Sequence, residues 1–334
     1  MKVVKLGKSN AEVSSLCFGA MYLGSKTNES TSIRLLDQYV EAGGSFVDTA
    51  NAYARWVPRC QGGESEALLG RWMKARGNRS QLFLASKVGF SSPVDGLEFG
   101  ASAKQIEIAC EASLRRLGTD VLDLYYVHAD DRVSPLAERL EAFDRLVRAG
   151  KVRHCGASNF MEWRLEEACW TAKEKGWAEY CCVQQRYSYV RPQAGSIYDP
   201  HVTVDEEFLD YVRNRGLTIL AYSPLLGGAY SRSDREFPEQ YSGPDTDLRL
   251  TTLGVVASSR GATVNQVVLA WLLQSDPVSI PVIAASTQEQ LAELLASDRV
   301  ELTSDELHRL SSAGNRPATH PDRQRVTPLG AKQG

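Results

Sequence analysis

The sequence predicts a closed (β/α)8 TIM barrel, in which eight parallel strands alternate with helices. Three observations favour this fold. Six times along the chain a helical stretch ends in glycine, and a short β-branched or aromatic run follows at once. Two further apolar runs, at residues 16–19 and 279–284, bring the number of strands to eight. The chain lacks the Gly-x-Gly-x-x-Gly motif typical of an open, doubly wound nucleotide-binding sheet, which disfavours that alternative.

Each glycine marks a joint between a helix and a strand. A glycine just after a helix takes the left-handed conformation that satisfies the last carbonyls, and the apolar run after it has the length of a buried strand. The six glycines are Gly43, Gly77, Gly118, Gly150, Gly176 and Gly216. Between the joints, apolar residues recur at spacings of three and four, as at Leu136, Leu140, Phe143 and Val147. We expect these helix faces to cover the sheet.

The two ends of the chain complete the predicted domain. Segment 3–13, with a turn near Gly7, is expected to form a short N-terminal β-hairpin that closes the barrel floor. Helices are expected near 263–274, 288–297 and 304–313. Because no low-complexity linker interrupts the pattern, we predict one barrel domain over residues 1–313 and a polar C-terminal tail over 314–334.

The composition indicates an ordinary globular protein of 334 residues, 43% hydrophobic and 24% charged, with a formal charge of −3. A sequence pI of about 6.0 without a basic run disfavours nucleic-acid binding. The sequence has neither an apolar run long enough for a membrane span nor the apolar core of a signal peptide, so we expect a cytoplasmic protein. Seven cysteines without a C-x-x-C pair predict reduced thiols and no metal site.

Four polar side chains are expected at the barrel mouth, where this architecture carries its chemistry. Asp48 ends the second strand and Tyr53 follows it in the loop, while Lys87 and His128 end the third and fourth strands. Taken alone, each has an ordinary structural explanation, such as a turn cap or a lysine that extends to water. Their convergence at one mouth is what indicates a functional site.

This set of residues suits a proton donor. The ordinary pKa of tyrosine, about 10, is too high for ready proton exchange near neutrality, and a neighbouring ammonium lowers it. We therefore expect Lys87 to lower the pKa of Tyr53 and Asp48 to hold Lys87 charged and in place. His128 is expected to donate to a substrate carbonyl oxygen.

The motifs around these residues resemble the aldo-keto reductase superfamily. They are DTANAY with Asp48 and Tyr53, the Ser-Lys pair that ends with Lys87, and LYYVH with His128, and the match spans nearly the whole chain. The resemblance implies a (β/α)8 barrel that binds NAD or NADP without a Rossmann domain. It also implies that these four residues form the catalytic tetrad of an oxidoreductase acting on a carbonyl or alcohol.

The resemblance further implies a cofactor site along the later strands. Ser158, Asn159 and Gln184 are implied for the nicotinamide carboxamide, although Asn159 has the alternative role of a helix N-cap. Tyr222 is implied to stack on the nicotinamide ring. The residues implied for the pyrophosphate and the adenosine half are Ser223, Leu225, Gly228, Ser286, Thr287, Gln290 and Glu293.

The adenosine segment departs from the family pattern in its charge. Residues 284–294 contain no lysine or arginine but two glutamates, and Leu294 stands where the family usually has an asparagine. Residues 284–294 therefore offer no cation to the 2′-phosphate of NADP, although Arg232 and Arg235 lie in the preceding loop. We hypothesise that NAD is used at least as well as NADP.

The long loops are expected to select the substrate. Segment 54–63 appears as an insertion that places Trp56 beside Tyr53, and the loop 187–205 contributes Tyr189 and Tyr198. Such rings suit an aldehyde, a ketone or a sugar-type substrate, and the sequence does not choose among them. It also leaves the oligomeric state and the physiological direction of reaction open.

Three other classes of function require different residues or different behaviour. A glycosidase needs paired carboxylates across the mouth, whereas strand seven ends in Tyr222 and Ser223. A metal-dependent hydrolase needs several strand-end histidines, and only His128 clearly occupies such a position. A cofactor-binding regulatory barrel that acts as a redox sensor with little turnover remains the alternative, because an intact tetrad is compatible with it.

Overall fold

The computed structural model describes residues 1–315, and the remainder of the predicted polar tail lies outside the described residues. The strands are β1 Val3–Lys5, β2 Glu12–Ser14, β3 Cys17–Gly19, β4 Phe46–Asp48, β5 Phe83–Val88, β6 Leu122–Val127, β7 Val152–Ser158, β8 Tyr180–Arg186, β9 Thr218–Tyr222 and β10 Ser279–Ile283. The helices are α1 Glu29–Glu41, α2 Glu64–Arg76, α3 Ala103–Leu117, α4 Leu136–Arg148, α5 Glu162–Lys175, α6 Glu206–Arg215, α7 Pro244–Arg260, α8 Val264–Gln274, α9 Gln288–Ala296 and α10 Ser304–Ser312.

Strands β3 to β10 form a closed parallel barrel, which confirms the predicted fold class. Each strand pairs with the next one in the chain, and β10 closes the ring by pairing with β3, where Val282 lies opposite Cys17. Because the strands are all parallel, their C-terminal ends meet at one mouth. All six predicted joint glycines have positive φ, as at Gly118, where φ is 63° at the end of α3.

The N-terminal hairpin closes the other end of the barrel, as predicted. Strands β1 and β2 pair antiparallel, and the fully buried Leu6 and Val13 pack among side chains of the barrel interior. The backbone N–H of Gly7 donates to Thr218 Oγ1 at 2.6 Å, at the first residue of β9. This contact attaches the hairpin turn to the start of a barrel strand.

Helix α7 is an element that the sequence pattern did not predict. Its buried face includes Thr246 and Arg249 among apolar residues, which obscures the hydrophobic periodicity. The guanidinium of Arg249 donates to the carbonyl oxygens of Tyr189 and Ala313, both at 2.8 Å. The helix therefore uses a buried arginine to hold a loop and the end of the domain.

Three further features bear on function. None of the helices in the described part of the chain is long and apolar enough to cross a membrane. All seven cysteines are free thiols, and only Cys60 among them is partly exposed. Within residues 1–315, no group of three or more His, Cys, Asp and Glu side chains is arranged to hold a metal ion.

Candidate active site

The four side chains singled out in the sequence lie together at the C-terminal mouth of the barrel. Asp48 is the last residue of β4, Lys87 lies near the end of β5, and His128 directly follows β6. These strands are neighbours in the barrel, and Tyr53 reaches the same point from the loop after β4. Asp48 and Lys87 are fully buried, so their charges face each other away from water.

Lys87 is the centre of this group. Its Nζ donates to Tyr53 Oη at 2.7 Å and to the carbonyl oxygen of Thr49 at 2.9 Å, and it forms an ion pair with Asp48. The Tyr53 hydroxyl in turn donates to Asp48 Oδ2 at 3.3 Å. Three acceptors match the three protons of an ammonium group. The phenol is thus held between a donor and an acceptor.

The pKa of Tyr53 is shifted in the opposite direction from the one predicted. Burial raises this pKa well above 10, and the negative charge of Asp48 raises it further. Burial also lowers the pKa of Lys87, which Asp48 opposes. The prediction that Lys87 lowers the pKa of Tyr53 is therefore wrong in its net direction, because burial and the Asp48 carboxylate outweigh the ammonium charge. The raised pKa favours the protonated form of the Tyr53 hydroxyl.

His128 faces Tyr53 across the mouth. The two rings meet edge to face with centroids 5.6 Å apart, and Phe90 packs against the imidazole at 4.6 Å. Burial lowers the pKa of His128 well below 6.5, and Lys87 lowers it further. The imidazole is neutral, and its Nδ1 is buried without a hydrogen-bond partner among the described residues. A neutral imidazole carries one N–H donor.

Three buried polar side chains lie next to this group, at the ends of β7 and β8. Gln184 Nε2 donates to Asp48 Oδ1 at 3.0 Å, and Ser158 Oγ donates to the Gln184 carbonyl at 2.8 Å. Asn159 Nδ2 donates to the His128 carbonyl at 2.9 Å, while its Oδ1 accepts from Tyr222 Oη at 2.8 Å. These bonds connect the mouth ends of five strands: β4, β6, β7, β8 and β9.

The N-cap alternative for Asn159 is wrong. Helix α5 is preceded at its N-cap position by Met161, which makes no side-chain capping bond. Asn159 instead has a left-handed φ of 58°, which directs its amide to His128 and Tyr222. A non-glycine residue in this region is uncommon outside constrained sites.

The loop after β9 has an unusual backbone. Ser223 and Leu226 have φ of 53° and 47°, and Gly227 and Gly228 continue the positive series at 70° and 97°. The half-buried Leu225 lies within this turn, and its carbonyl accepts from the Gly228 N–H at 2.9 Å. Successive residues of such conformation can form a concave backbone surface that suits anions.

The start of α9 lies beyond this loop. Thr287 caps the helix by accepting from the Gln290 N–H, and Gln290 Oε1 accepts from the Ser286 N–H at 2.9 Å. Glu293 accepts from Thr263 Oγ1 at 2.7 Å and from Asn265 Nδ2 at 3.2 Å. Glu293 is therefore already bonded to the first turn of α8.

Three features near the start of α9 bear on the choice of cofactor. Leu294 is 5% exposed and belongs to the core rather than to the surface. Arg232 is paired with Asp234 at 2.6 Å, whereas Arg235 has no salt bridge among residues 1–315. Asn265 donates to Ser231 Oγ at 2.9 Å, but its buried Oδ1 has no partner among the described residues.

The structure separates the three predicted substrate residues. Trp56 is half exposed at the rim and meets Tyr22 edge to face at 6.4 Å. Tyr189 is fully buried against Trp271, with centroids 5.3 Å apart, and therefore has no surface for a substrate. Tyr198 packs on Tyr241. Burial therefore excludes Tyr189, whereas Trp56 and the partly exposed Tyr198 stay candidates.

Four other residues at the rim were missed by the sequence reasoning: Tyr22, Arg55, Phe90 and His201. The His201 ring lies 6.3 Å from Phe90 and 5.9 Å from Tyr222, so the loop 187–205 reaches the site through His201. The sequence offers one indication for three of them: Tyr22, Arg55 and Phe90 each lie in a loop a few residues after a barrel strand. Position alone could not show that these loops meet.

Comparison with known proteins decides the family. A family model described as the Aldo/keto reductase family matches residues 15–315. The chain belongs to this family. It is 33% identical to a norsolorinic acid reductase of Emericella nidulans over 89% of this chain and 77% of that protein. It is 32% identical to the uncharacterized oxidoreductase YrpG of Bacillus subtilis, over 93% and 95% of the two chains.

A third curated protein and a solved structure are also similar to this aldo/keto reductase. An aryl-alcohol dehydrogenase of Pestalotiopsis microspora is 26% identical over 90% of this chain and 79% of its own length. A solved structure of a thermostable aldo-keto reductase in complex with the inhibitor epalrestat superposes with a TM-score of 0.73. It is 28% identical and covers 93% of this chain and 99% of that one.

Aldo/keto reductases are oxidoreductases that use NAD(P)H on small-molecule carbonyl compounds. The residues of this chain fit a nicotinamide dinucleotide. Two buried polar atoms without a partner among the described residues, His128 Nδ1 and Asn265 Oδ1, could bind such a ligand. The Asn159 amide connects the His128 carbonyl to the Tyr222 hydroxyl. The positive-φ turn at 226–228 follows Tyr222 in the chain, and so does Ser231, which accepts from Asn265.

Proposed function

We propose that this protein is an NAD(P)-dependent reductase of aldehydes or ketones, with Tyr53 as the proton donor. One observation carries the proposal: the Tyr53 phenol is hydrogen-bonded to Lys87 and Asp48 and faces the His128 imidazole across the mouth of an aldo/keto reductase barrel. A carbonyl oxygen between Tyr53 and His128 would meet two donors. General acid catalysis needs this arrangement.

The chain's own residues then have separate tasks. Tyr53 transfers its proton to the carbonyl oxygen as that oxygen gains negative charge, and Lys87 stabilises the phenolate that remains. Asp48 orients Lys87 through their buried ion pair. His128 donates to the same oxygen and orients the substrate. When bound, the nicotinamide supplies hydride to the carbonyl carbon, or accepts it from an alcohol in the reverse direction.

We assign the cofactor to the residues along β7, β8 and β9 and the start of α9. Ser158, Asn159 and Gln184 would hold the carboxamide, and Tyr222 would stack on the ring. The turn with Ser223, Leu225 and Gly228 would take the pyrophosphate, because its backbone suits an anion. The residues proposed for the adenosine half are Ser286, Thr287, Gln290 and Glu293.

We further propose that NADH serves at least as well as NADPH. Segment 284–294 has no cation, and Glu293 adds a negative charge beside the proposed adenosine site. Arg232 is neutralised by Asp234, which leaves Arg235 as the cation of this loop without a salt bridge among residues 1–315. Affinity for NADPH many-fold above that for NADH would contradict this proposal.

The substrate that the mouth suits best is an aromatic aldehyde or ketone. Phe90 packs on His128, Phe99 packs on Phe90, and Trp56, three residues after Tyr53, packs on Tyr22. Such rings favour a flat, apolar substrate body. The relative named as an aryl-alcohol dehydrogenase supports the same class. A sugar-type substrate is less favoured, because the rim offers mostly rings to its hydroxyl groups.

The test uses purified protein and its Tyr53→Phe variant. Fluorescence titration with NADH and NADPH measures binding, and absorbance at the nicotinamide band measures turnover of para-nitrobenzaldehyde. We expect both proteins to bind cofactor and Tyr53→Phe to lose at least about a hundredfold in kcat, because the general acid is removed. Tyr180→Phe is the matched control, since its buried hydroxyl has no hydrogen-bond partner in the described chain.

Each outcome has a definite meaning. Turnover that survives in Tyr53→Phe would overturn the proposed role of Tyr53. Binding of neither cofactor would overturn the assignment as a nicotinamide-dependent reductase. Tight cofactor binding without turnover of any carbonyl would favour the redox-sensor alternative.

A further inference from the structure

Arg55 is an exposed cation on the rim of the candidate site, two residues after Tyr53. Its Nη1 donates to Ser91 Oγ at 2.7 Å, and its guanidinium carbon lies 5.9 Å from the centre of the Phe90 ring. Among residues 1–315 it forms no salt bridge with a carboxylate, unlike most of the arginines in that range. Its charge is therefore available to a ligand.

Phe90 connects this cation to the reacting centre. The Phe90 ring lies close to both groups. The Arg55 guanidinium packs near it, and the centres of the Phe90 and His128 rings are 4.6 Å apart. After burial, the charges of Lys87 and Arg55 are among the causes that lower the pKa of His128. The guanidinium thus lies one aromatic ring away from the imidazole.

The surroundings of Arg55 are aromatic and positive. Trp56 meets Tyr22 edge to face, and the exposed Lys26 ammonium lies 4.5 Å from the centre of the Tyr22 ring. Phe99 packs on Phe90 at 5.8 Å. Against the larger lowering effect of burial, the charge of Asp199 raises the pKa of His201. Cations next to exposed rings attract a ligand that is both aromatic and negatively charged.

Hydrogen bonds at both ends of the loop that carries Arg55 restrict its conformation. Ala54 is buried with a left-handed φ of 68°, and its carbonyl accepts from the Val57 N–H at 2.7 Å. At the far end of the loop, the carboxylate of Glu64 accepts from the backbone N–H groups of Gln61 and Gly62 at 2.7 and 3.0 Å. A fixed loop lowers the entropy cost of presenting the guanidinium to a ligand.

We propose that Arg55 is a specificity-determining residue that binds a carboxylate on an aromatic aldehyde or ketone substrate. The guanidinium pairs with planar carboxylates in two parallel hydrogen bonds, and the bond to Ser91 orients its fork. Phe90 and Trp56 hold the aromatic body while the carbonyl group reaches Tyr53 and His128. This inference rests on the proposed reductase function and names its substrate class.

The kinetic test compares para-carboxybenzaldehyde with its neutral methyl ester. We expect wild type to favour the carboxylate, and Arg55→Ala to raise KM for it about tenfold with little change in kcat. The ester should be affected less than about twofold. Arg55→Lys keeps the charge without the fork and should restore part of the preference. Arg59→Ala is the control, because it removes an equally exposed cation from the same loop.

A binding measurement separates this inference from the proposed function. Titration calorimetry with terephthalate, an aromatic dicarboxylate, should show affinity for wild type that falls about tenfold in Arg55→Ala and falls with added salt. Equal binding to both proteins, or an equal loss on both aldehydes, would overturn the role of Arg55. Absence of turnover together with Arg55-dependent binding of terephthalate would overturn the reductase function and leave the carboxylate site standing.

Discussion

The protonation state of Tyr53 follows from its immediate neighbours. Lys87 alone would stabilise a phenolate, but the buried Asp48 carboxylate lies within hydrogen-bond distance of both groups. The ion pair is close to neutral as a whole, so the loss of water around the phenol decides the direction of the pKa shift. A phenol that keeps its proton is prepared to give it to a developing oxyanion, which favours carbonyl reduction.

The pH dependence of reduction tests this account. A phenol whose pKa is raised stays protonated as the pH increases, and an imidazole whose pKa is lowered stays neutral as the pH falls. Tyr53 and His128 are therefore both in the required form from about pH 6 to 9. We expect kcat/KM for aldehyde reduction to be flat across this range, and alcohol oxidation to increase with pH. A decline in reduction near pH 7 would show that the phenol titrates there.

Helices α2 and α3 support the mouth through a buried charge network. Glu66 on α2 is fully buried and accepts from Ser86 on β5 and from Arg116 Nε on α3 at 2.7 Å. Arg116 also pairs with Asp95, whose carboxylate accepts from Asn51 Nδ2 at 3.1 Å. Asn51 lies between Asp48 and Tyr53 in the chain. The network therefore links two helices to the loop that carries the proposed proton donor.

Removal of Glu66 should be costly, because it leaves part of a buried charge network unpaired. We expect Glu66→Ala to lower the free energy of unfolding by about 3 kcal/mol, measured by urea denaturation. Glu107→Ala is the control: its pair with Arg145 is about half exposed on both sides, and its loss should cost less than about 1 kcal/mol. Equal effects of the two substitutions would show that the Glu66 network contributes no more than a surface pair.

The barrel as a whole has one open end and one closed end. The closed end depends on close contact between the hairpin turn and the barrel strands. Gly7 has a φ of 56°, and a Cβ at this position would lie 2.0 Å from the Cys181 carbonyl oxygen in β8. The backbone of the hairpin can approach the barrel this closely only because residue 7 has no side chain.

Gly7→Ala should therefore separate the hairpin from the barrel floor. We expect a loss of about 3 kcal/mol in the free energy of unfolding, from left-handed strain together with overpacking against backbone. Gly77→Ala is the matched control, because Gly77 has a similar φ of 62° but open space around the position of a Cβ. The control should cost about 1 kcal/mol from strain alone. Similar losses in the two variants would contradict the close-contact explanation.

Much of this architecture can be predicted from local patterns in the sequence. The glycine joints, the helical spacing of apolar residues and the short buried runs predict the barrel, because each depends on a few neighbouring residues and on chain connectivity. Once the strands are parallel, Asp48, Lys87 and His128 must share one end, since each closes its own strand. The family motifs extend the same inference to Tyr53.

The remaining features depend on contacts between segments far apart in the chain. Burial and the Asp48 charge set the direction of the Tyr53 pKa shift, and these quantities exist only when the strands and the loop are assembled. Tyr189 and His201 lie in one loop, yet packing against Trp271 buries the first while the second reaches the rim. Arg55, Phe90 and His128 come from loops after three different strands. Local periodicity specifies which strand a residue follows, whereas long-range packing specifies which side chains meet there.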